Sequence, residues 1–377
     1  MSKRIVSLVI NNFKNDNRVH RMALSLSERG HTVRVVGLCK GDVAMREIAN
    51  GVDVHRIRVR SLALPDHNKF FGAIKYTEYF IRVILLYRKW DIWHCNDFEA
   101  FLLGLMAKLT RPRLILVYDC HEYEAERYSL GKWMRKFVSW GERNFIRYAA
   151  MVITVGPSIM REYERLYGTL NIHLVRNTPH LKPMQTSQVL RQHFGIRTDQ
   201  KIFLYQGMIS GGRGIEVLLE AFSRMPDDRC VLVVMGYGAL EELVRKHAES
   251  SAVIFFHPAV PYSEINRYSG SADVGLNTPQ NHCLSYYYCL PNKLFEYIQS
   301  GIPVLTNNLP DCRSLVEGEQ IGEVIEEFTP AGVAQAVSRM AQADLTTYRS
   351  NLLRAREKYH WDEEVKAMHA AYSTIGA

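Results

Sequence analysis

Three stretches of the chain carry residue types and spacings suited to chemistry. The first is Gln206-Gly207-Met208-Ile209-Ser210-Gly211-Gly212-Arg213-Gly214, which follows an apolar run and opens an amphipathic one. Glycines let a backbone approach a ligand closely, a helix N-terminus favours negative charge, and Arg213 can fork onto a phosphate. The spacing is neither a Walker A loop nor a clean G-x-G-x-x-G, so a tight turn with a solvated arginine is an equal reading of this loop alone. The second stretch, Cys289 to Val304, reads as loop, helix, glycine stop and strand, with Pro291 and Gly301 as punctuation. Asn292 is read as a cap, Lys293 as a cation beside it, and Glu296, one turn in, as an acceptor for two vicinal hydroxyls such as those of a ribose. The plainer reading is an amphipathic helix with Leu294, Phe295 and Ile298 inward. The third group lies earlier in Asp16-Asn17-Arg18, His94-Cys95-Asn96-Asp97 and Tyr118-Asp119-Cys120-His121-Glu122, all at the ends of apolar runs. Here His121 reads as a histidine hydrogen-bonded within a strand-end turn. Asp16 and Asn17 suit helix capping, and Glu122, Glu124 and Glu126 read first as a solvated charge run.

These loops need elements that hold them. Short β-branched runs alternate with helical patterns from Arg4 to Val175 and again from Ile202 to Thr306, the pattern of parallel sheets with crossover helices. The expectation is an α/β protein of two Rossmann-like, doubly wound domains. Residues 1–180 form the first, with a returning helix over 360–377, and residues 181–359 form the second. A polar stretch from Pro179 to about Gln188 is expected to be a linker or the edge of the second domain. Two such sheets facing a central cleft would gather their strand-to-helix loops there, where open α/β sheets bind ligands.

With the residues placed, the chain resembles the GT-B glycosyltransferases, specifically the large retaining family four. The resemblance rests on Asn292 to Val304 with Gly207 to Gly214 about eighty residues earlier, and on Asp16-Asn17-Arg18-Val19 with Leu26, Gly30-His31 and Val33. His94 to Asp97, Tyr118 to Glu122, Arg176-Asn177 and Trp361 extend it over nearly the whole chain. It implies a nucleotide-sugar donor, UDP- or GDP-linked, bound by Gly207, Ser210, Arg213, Val260, Pro291, Asn292, Lys293 and Glu296. Glu296 would match the second acid of a Glu-x7-Glu motif on the donor ribose, Arg213 would stand near the phosphates, and backbone near Ala259-Val260 would meet the base. His121 would lie at the reacting centre, with Asn12, Asp16, Arg18, Asp97 and Glu122 on the acceptor side. Neither a metal nor another cofactor is implied, because helix N-termini, Arg213 and Lys293 would compensate the leaving diphosphate. The chain departs from the family where the first motif acid is Tyr288 and where an arginine often follows the first loop glycine, here Met208. A non-catalytic nucleotide-sugar-binding subunit and a sugar-nucleotide epimerase stay open as alternatives.

Charge separates the two halves. The net +8 of the 377 residues divides into +12 for residues 1–180, with 29 Lys and Arg against 17 Asp and Glu, and −4 for the rest. Two segments of the first half mix cations with large aromatics at helical spacing, Lys69-Phe70-Phe71 to Trp90 and Lys132 to Trp140. Either one alone also reads as a core-facing amphipathic helix with a solvated basic face; together with the +12 they favour a polyprenyl-diphosphate-linked or other anionic acceptor, a growing glycan or lipid-linked saccharide, and peripheral contact with an anionic membrane. No nucleic-acid motif accompanies the charge. The apolar runs are too short to span a bilayer and the start does not read as a signal peptide, so a cytoplasmic location is expected, at the inner membrane face. The seven cysteines include no C-x-x-C, and each His-Cys neighbour pair points to opposite faces of a strand, which disfavours zinc.

Overall fold

A computed structural model describes residues 2–14, 16–59, 61, 69–225 and 228–377, without the side chains of 69–74. The chain forms two compact units, Met1–Arg176 with Val365–Ala377 and Asn177–Glu364.

The sheet of the first unit contains β1 (Arg4–Leu8), β2 (Thr32–Leu38), β3 (Arg46–Ala49), β4 (Val52–Ile57), β5 (Ile92–Asn96), β6 (Ile115–Cys120), β7 (Met151–Thr154) and β8 (Ile172–Leu174). Their order is β3-β4-β2-β1-β5-β6-β7-β8, and every pair is parallel except β3 with β4. That antiparallel edge was not expected. Asn50 and Gly51, both at positive φ (+46° and +87°), join the two strands as a two-residue hairpin. The central strands are apolar and buried on both faces, as the covering helices of a parallel sheet require. His94 and Cys95 show the alternation directly. His94 meets Tyr372 and Asp119, whereas Cys95 Sγ lies where a side chain on Gly104 would clash, at 2.8 Å from its Cβ position.

The second unit has six parallel strands, β9 (Lys201–Met208), β10 (Cys230–Tyr237), β11 (Ile254–Pro258), β12 (Val274–Asn277), β13 (Val304–Asn307) and β14 (Gly322–Ile325), in the order β11-β10-β9-β12-β13-β14. Alternate residues of β9 serve opposite cores: Ile202 and Leu204 pack in one apolar cluster, Phe203 and Tyr205 in the other. The polar stretch before Gln188 is built into this unit. Ser187 Oγ donates to Arg267 O at 2.7 Å, and Asn266 Nδ2 donates to Pro183 O at 3.0 Å. The final helix, Trp361–Ser373, starts in the second unit, where the Trp361 N–H donates to Pro179 O, and Val365 onward belongs to the first.

In both sheets the strand order reverses beside the first strand, between β1 and β5 and between β9 and β12. Ligands of open α/β sheets bind at such switch points. The loops leaving β1, β5, β9 and β12 are therefore the places to look.

Candidate functional site

In the second unit, β9 and β12 pair only at Val274–Phe203 and Gly275–Leu204 and then separate. The Tyr297 hydroxyl fills the gap, accepting from the Gln206 N–H at 3.1 Å and lying 3.0 Å from Leu204 O and 3.3 Å from Leu276 O. Its ring crosses β12 at Gly275, where any Cβ would come within 2.4 Å. One residue earlier on the same helix, Asn292–Ser300, Glu296 Oε2 accepts from Gln206 Nε2 at 2.6 Å, and Gln206 Oε1 accepts from Ser269 Oγ at 2.6 Å. Gln206 was missed from sequence, because the contact joins positions ninety apart.

The glycine loop follows β9. Gly214 has φ +81°, and a side chain there would meet Thr278 O at 2.5 Å, so the loop lies tightly on the chain leaving β12. Thr278 Oγ1 donates to Arg213 O at 3.0 Å, and the Gln280 N–H donates to Gly212 O at 2.9 Å. Ser210 O accepts from the Arg213 N–H. Two helices begin here, Ile215–Arg224 after Gly214 and Asn292–Ser300 after Pro291, and neither has a side-chain cap. The cap assigned to Asn292 is thus corrected: Pro291 occupies the capping position in extended conformation, and Asn292 is the exposed first helical residue. Leu294 N–H already bonds Pro291 O at 3.0 Å, and the N–H groups ahead of it, with those opening Ile215–Arg224, have no side-chain cap and suit an anion.

Both expected cations are present. The Arg213 guanidinium lies over the Tyr286 ring at 4.6 Å, its buried Nε without a partner. Lys293 Nζ lies 3.5 Å from the centre of the Tyr205 ring. Loss of water and the neighbouring Arg213 push the Lys293 ammonium well below its ordinary value, against the pull of Glu296. Val260, expected near a base, is partly buried against the apolar cluster beneath β9.

The first unit holds a separate constellation. Asp119, at the end of β6, is fully buried and takes two bonds from Arg18, Nε at 3.1 Å and Nη2 at 2.7 Å, while Arg18 Nη1 donates to Val175 O. His94 Nε2 lies 3.3 Å from Asp119, and its Nδ1 meets the Tyr372 hydroxyl at 2.5 Å. Burial alone would raise the Asp119 carboxyl, but Arg18 and His121 overcome it and hold the group well below the usual range. Arg18, expected on the acceptor side, is committed to this buried pair.

His121 sits between two carboxylates, Nδ1 at 3.4 Å from Asp97 and Nε2 at 3.3 Å from Asp119, the latter out of hydrogen-bond alignment. Burial disfavours its charge, yet Asp97 and Asp119 raise it to about 9, so at neutral pH it is an imidazolium that donates and cannot act as a base. Asp97 has φ +65°, a conformation that costs a non-glycine residue on the order of 1 kcal/mol and concentrates at functional sites.

The remaining expected residues are less engaged. Asp16 caps the helix Asn17–Glu28 through the Val19 N–H, Asn12 Nδ2 reaches Lys40 O at 3.4 Å, and Glu122 is exposed. The solvated run Glu122-Glu124-Glu126 is corrected. Glu124 is fully buried against the Phe98 N–H at 3.3 Å, and Glu126 pairs with Arg135, because the short helical turn Glu124–Glu126 carries Tyr123, Glu124 and Ala125 inward together. Among the described residues, no group of three His, Cys, Asp or Glu side chains is arranged to hold a metal ion.

Comparison with known proteins follows the same division. Residues 16–178 match the glycosyl transferase 4-like domain, and residues 186–356 match glycosyl transferases group 1. The chain is 25% identical to the uncharacterized glycosyltransferase MJ1607 of Methanocaldococcus jannaschii over 365 residues, 92% of this chain and 90% of that one. It is 23% identical to the putative teichuronic acid biosynthesis glycosyltransferase TuaH of Bacillus subtilis, over 90% of this chain and 89% of that one. Among solved structures it is similar to HepE of Anabaena in complex with UDP-glucose, with TM-score 0.77, 14% identity and 99% of each chain covered.

Proposed function

The chain belongs to the GT-B glycosyltransferases of the family-four type, and from that premise we propose that it moves a sugar from a nucleotide-sugar donor onto a surface glycan or lipid-linked saccharide. The observation that carries this reading is the second unit's switch point. There two uncapped helix N-termini, a glycine loop and two cations lying over aromatic rings converge with Glu296.

In this reading the diphosphate sits on those N–H groups with Arg213 and Lys293, and Glu296 holds the ribose hydroxyls. As the bond from the sugar to the phosphate oxygen breaks, the growing negative charge falls where the positive groups already stand, without a metal ion. Transfer is proposed to retain configuration, the departing phosphate oxygen taking the acceptor proton. His121, held protonated by Asp97 and Asp119, is proposed to donate to a sugar hydroxyl and not to act as a base. UDP is the favoured nucleotide, since the similar HepE binds UDP-glucose, and TuaH links the reading to polysaccharide biosynthesis. Titration with a panel of UDP- and GDP-sugars tests it. At least one is expected to bind and to be hydrolysed slowly or transferred, and binding by none overturns the reading. Binding without any turnover would favour a non-catalytic subunit, and conversion of the donor without an acceptor an epimerase.

A membrane-linked acceptor is supported by the helix Lys132–Phe145. It buries only Val138, Gly141 and Glu142 and exposes Trp133 (86%), Met134, Phe137 and Trp140 beside Lys132 and Lys136. Lys136 lies over the Trp133 ring and Arg147 over Tyr148, the amphipathic arrangement that suits an anionic lipid surface. No described helix is long and apolar enough to cross a membrane. In the earlier basic segment Ile81, Leu85 and Leu86 are exposed, while the side chains of residues 69–74 lie outside the described residues. The protein is expected to sediment with phosphatidylglycerol vesicles and not with neutral ones. Trp133→Ala with Trp140→Ala should weaken this by about tenfold or more. Equal binding to both vesicle types, or an unaffected double variant, would count against a membrane-bound acceptor.

A further inference from the structure

Gln206 lies on β9 directly before the first glycine of the loop, and it is only 3% exposed. Three hydrogen bonds fix it. Its backbone N–H donates to the Tyr297 hydroxyl at 3.1 Å, its Nε2 donates to Glu296 Oε2 at 2.6 Å, and its Oε1 accepts from Ser269 Oγ at 2.6 Å. Ser269, at the end of the short helix Ile265–Ser269, is fully buried. Hydrogen-bond chemistry leaves one way to arrange this chain. An ionised carboxylate only accepts, so the amide turns its nitrogen toward Glu296 and its oxygen toward Ser269, whose hydroxyl then donates. The amide is thereby pinned at both ends. As a neutral donor it also orients the carboxylate without cancelling its charge, while the nearby cations Lys293 and Arg213 stand over the Tyr205 and Tyr286 rings.

Resting on the donor reading above, we propose that Gln206 is the positioning residue of the ribose site, holding the Glu296 carboxylate at the angle that two vicinal hydroxyls require, with Ser269 holding Gln206 in turn. Preference for a ribose over a deoxyribose donor is then set by a buried residue that does not itself reach the nucleotide. The reason is conformational. A glutamate side chain without a partner samples several rotamers, and freezing it when a ligand arrives weakens affinity. With the Gln206 amide in place the carboxylate is already ordered in the folded chain. The bond takes one of about four acceptor directions that a carboxylate offers.

Titration of the full chain with UDP-glucose and with its deoxyribose analogues tests this, or with GDP-mannose and its analogues if only guanine nucleotides bind. Gln206→Met, similar in length but unable to donate, is expected to bind UDP-glucose about tenfold more weakly, the worth of one hydrogen bond to a charged group. It should bind the deoxyribose analogues nearly as the wild type does. A general loosening of the fold would weaken both ligands alike, so the ratio of the two affinities is the readout. Ser269→Ala should lower that ratio in the same direction by a smaller factor. In a Glu296→Ala background, adding Gln206→Met should leave the ratio unchanged, because the residue acts through Glu296. A ratio unaltered by Gln206→Met alone, or a further loss in the double variant, would overturn the positioning role while leaving the donor reading intact. Equal affinity of the wild type for ribose and deoxyribose donors would remove the ribose contact and the positioning role with it. Absence of binding by every nucleotide sugar would overturn the donor reading itself.

Discussion

Arg18→Ala should destabilise the first unit by about 3 kcal/mol, toward the low end of the cost of breaking a buried ion pair. The pair is nearly inaccessible, with Arg18 3% and Asp119 0% exposed, and two parallel bonds at 2.7 and 3.1 Å join them. Without the guanidinium, Asp119 keeps only His94 and the His121 imidazolium beside it, and Val175 O loses its donor. A buried carboxylate stripped of its main partner costs more than the contact itself contributed. Urea unfolding of the first unit, followed by fluorescence of its tryptophans, measures the loss. Adding Asp119→Asn to the variant should recover part of it, since the uncompensated charge is then gone. In the wild type the Asp119 carboxyl is depressed on folding, so its contribution is present above about pH 4 and is lost as pH falls through the folded value. This acid sensitivity should diminish in Arg18→Ala. Equal stability of wild type and variant would mean that the pair has no net worth.

Glu296→Ala should weaken binding of the nucleotide sugar by about 10- to 100-fold, the worth of one or two hydrogen bonds from ribose hydroxyls to an ionised carboxylate. The substitution also frees Gln206 Nε2, which now donates to Glu296 at 2.6 Å, so Glu296→Gln is the milder control. Deoxyribose analogues of the donor make the test specific. They should bind the wild type more weakly than the parent nucleotide sugar, and Glu296→Ala should no longer discriminate between them. If the variant still discriminates, Glu296 does not hold the ribose, and its contact with Gln206 is structural.

Much of this was legible without coordinates. Runs of buried strand residues announced the parallel sheets, and Pro291 and Gly301 bounded a helix found at Asn292–Ser300. Asp16 caps its helix as its type and place suggest. The missed strands are polar and at edges. β3 reads Arg-Glu-Ile-Ala, though Asn50-Gly51 was a hairpin signal in plain view, and β14 reads Gly-Glu-Val-Ile. An edge strand needs less apolar surface than a central one, so periodicity is a weak guide to it.

Residue order alone specifies the class of fold, the half of the chain that carries the positive charge and the loops that bear glycine, arginine and acid. These are local properties, set by side-chain period, turn chemistry and composition. The surroundings of each group come from contacts that form when the chain folds. Folding commits Arg18 to Asp119, 101 residues away, and joins Gln206 to Glu296 across the opening of β9 from β12. It buries Glu124 while Glu122 stays exposed, and it sets His121 between two carboxylates that charge it. The physical reason is the same in each case. Burial and charge are properties of a surrounding built from distant segments, and a residue's own type fixes neither until the sheets have brought those segments together.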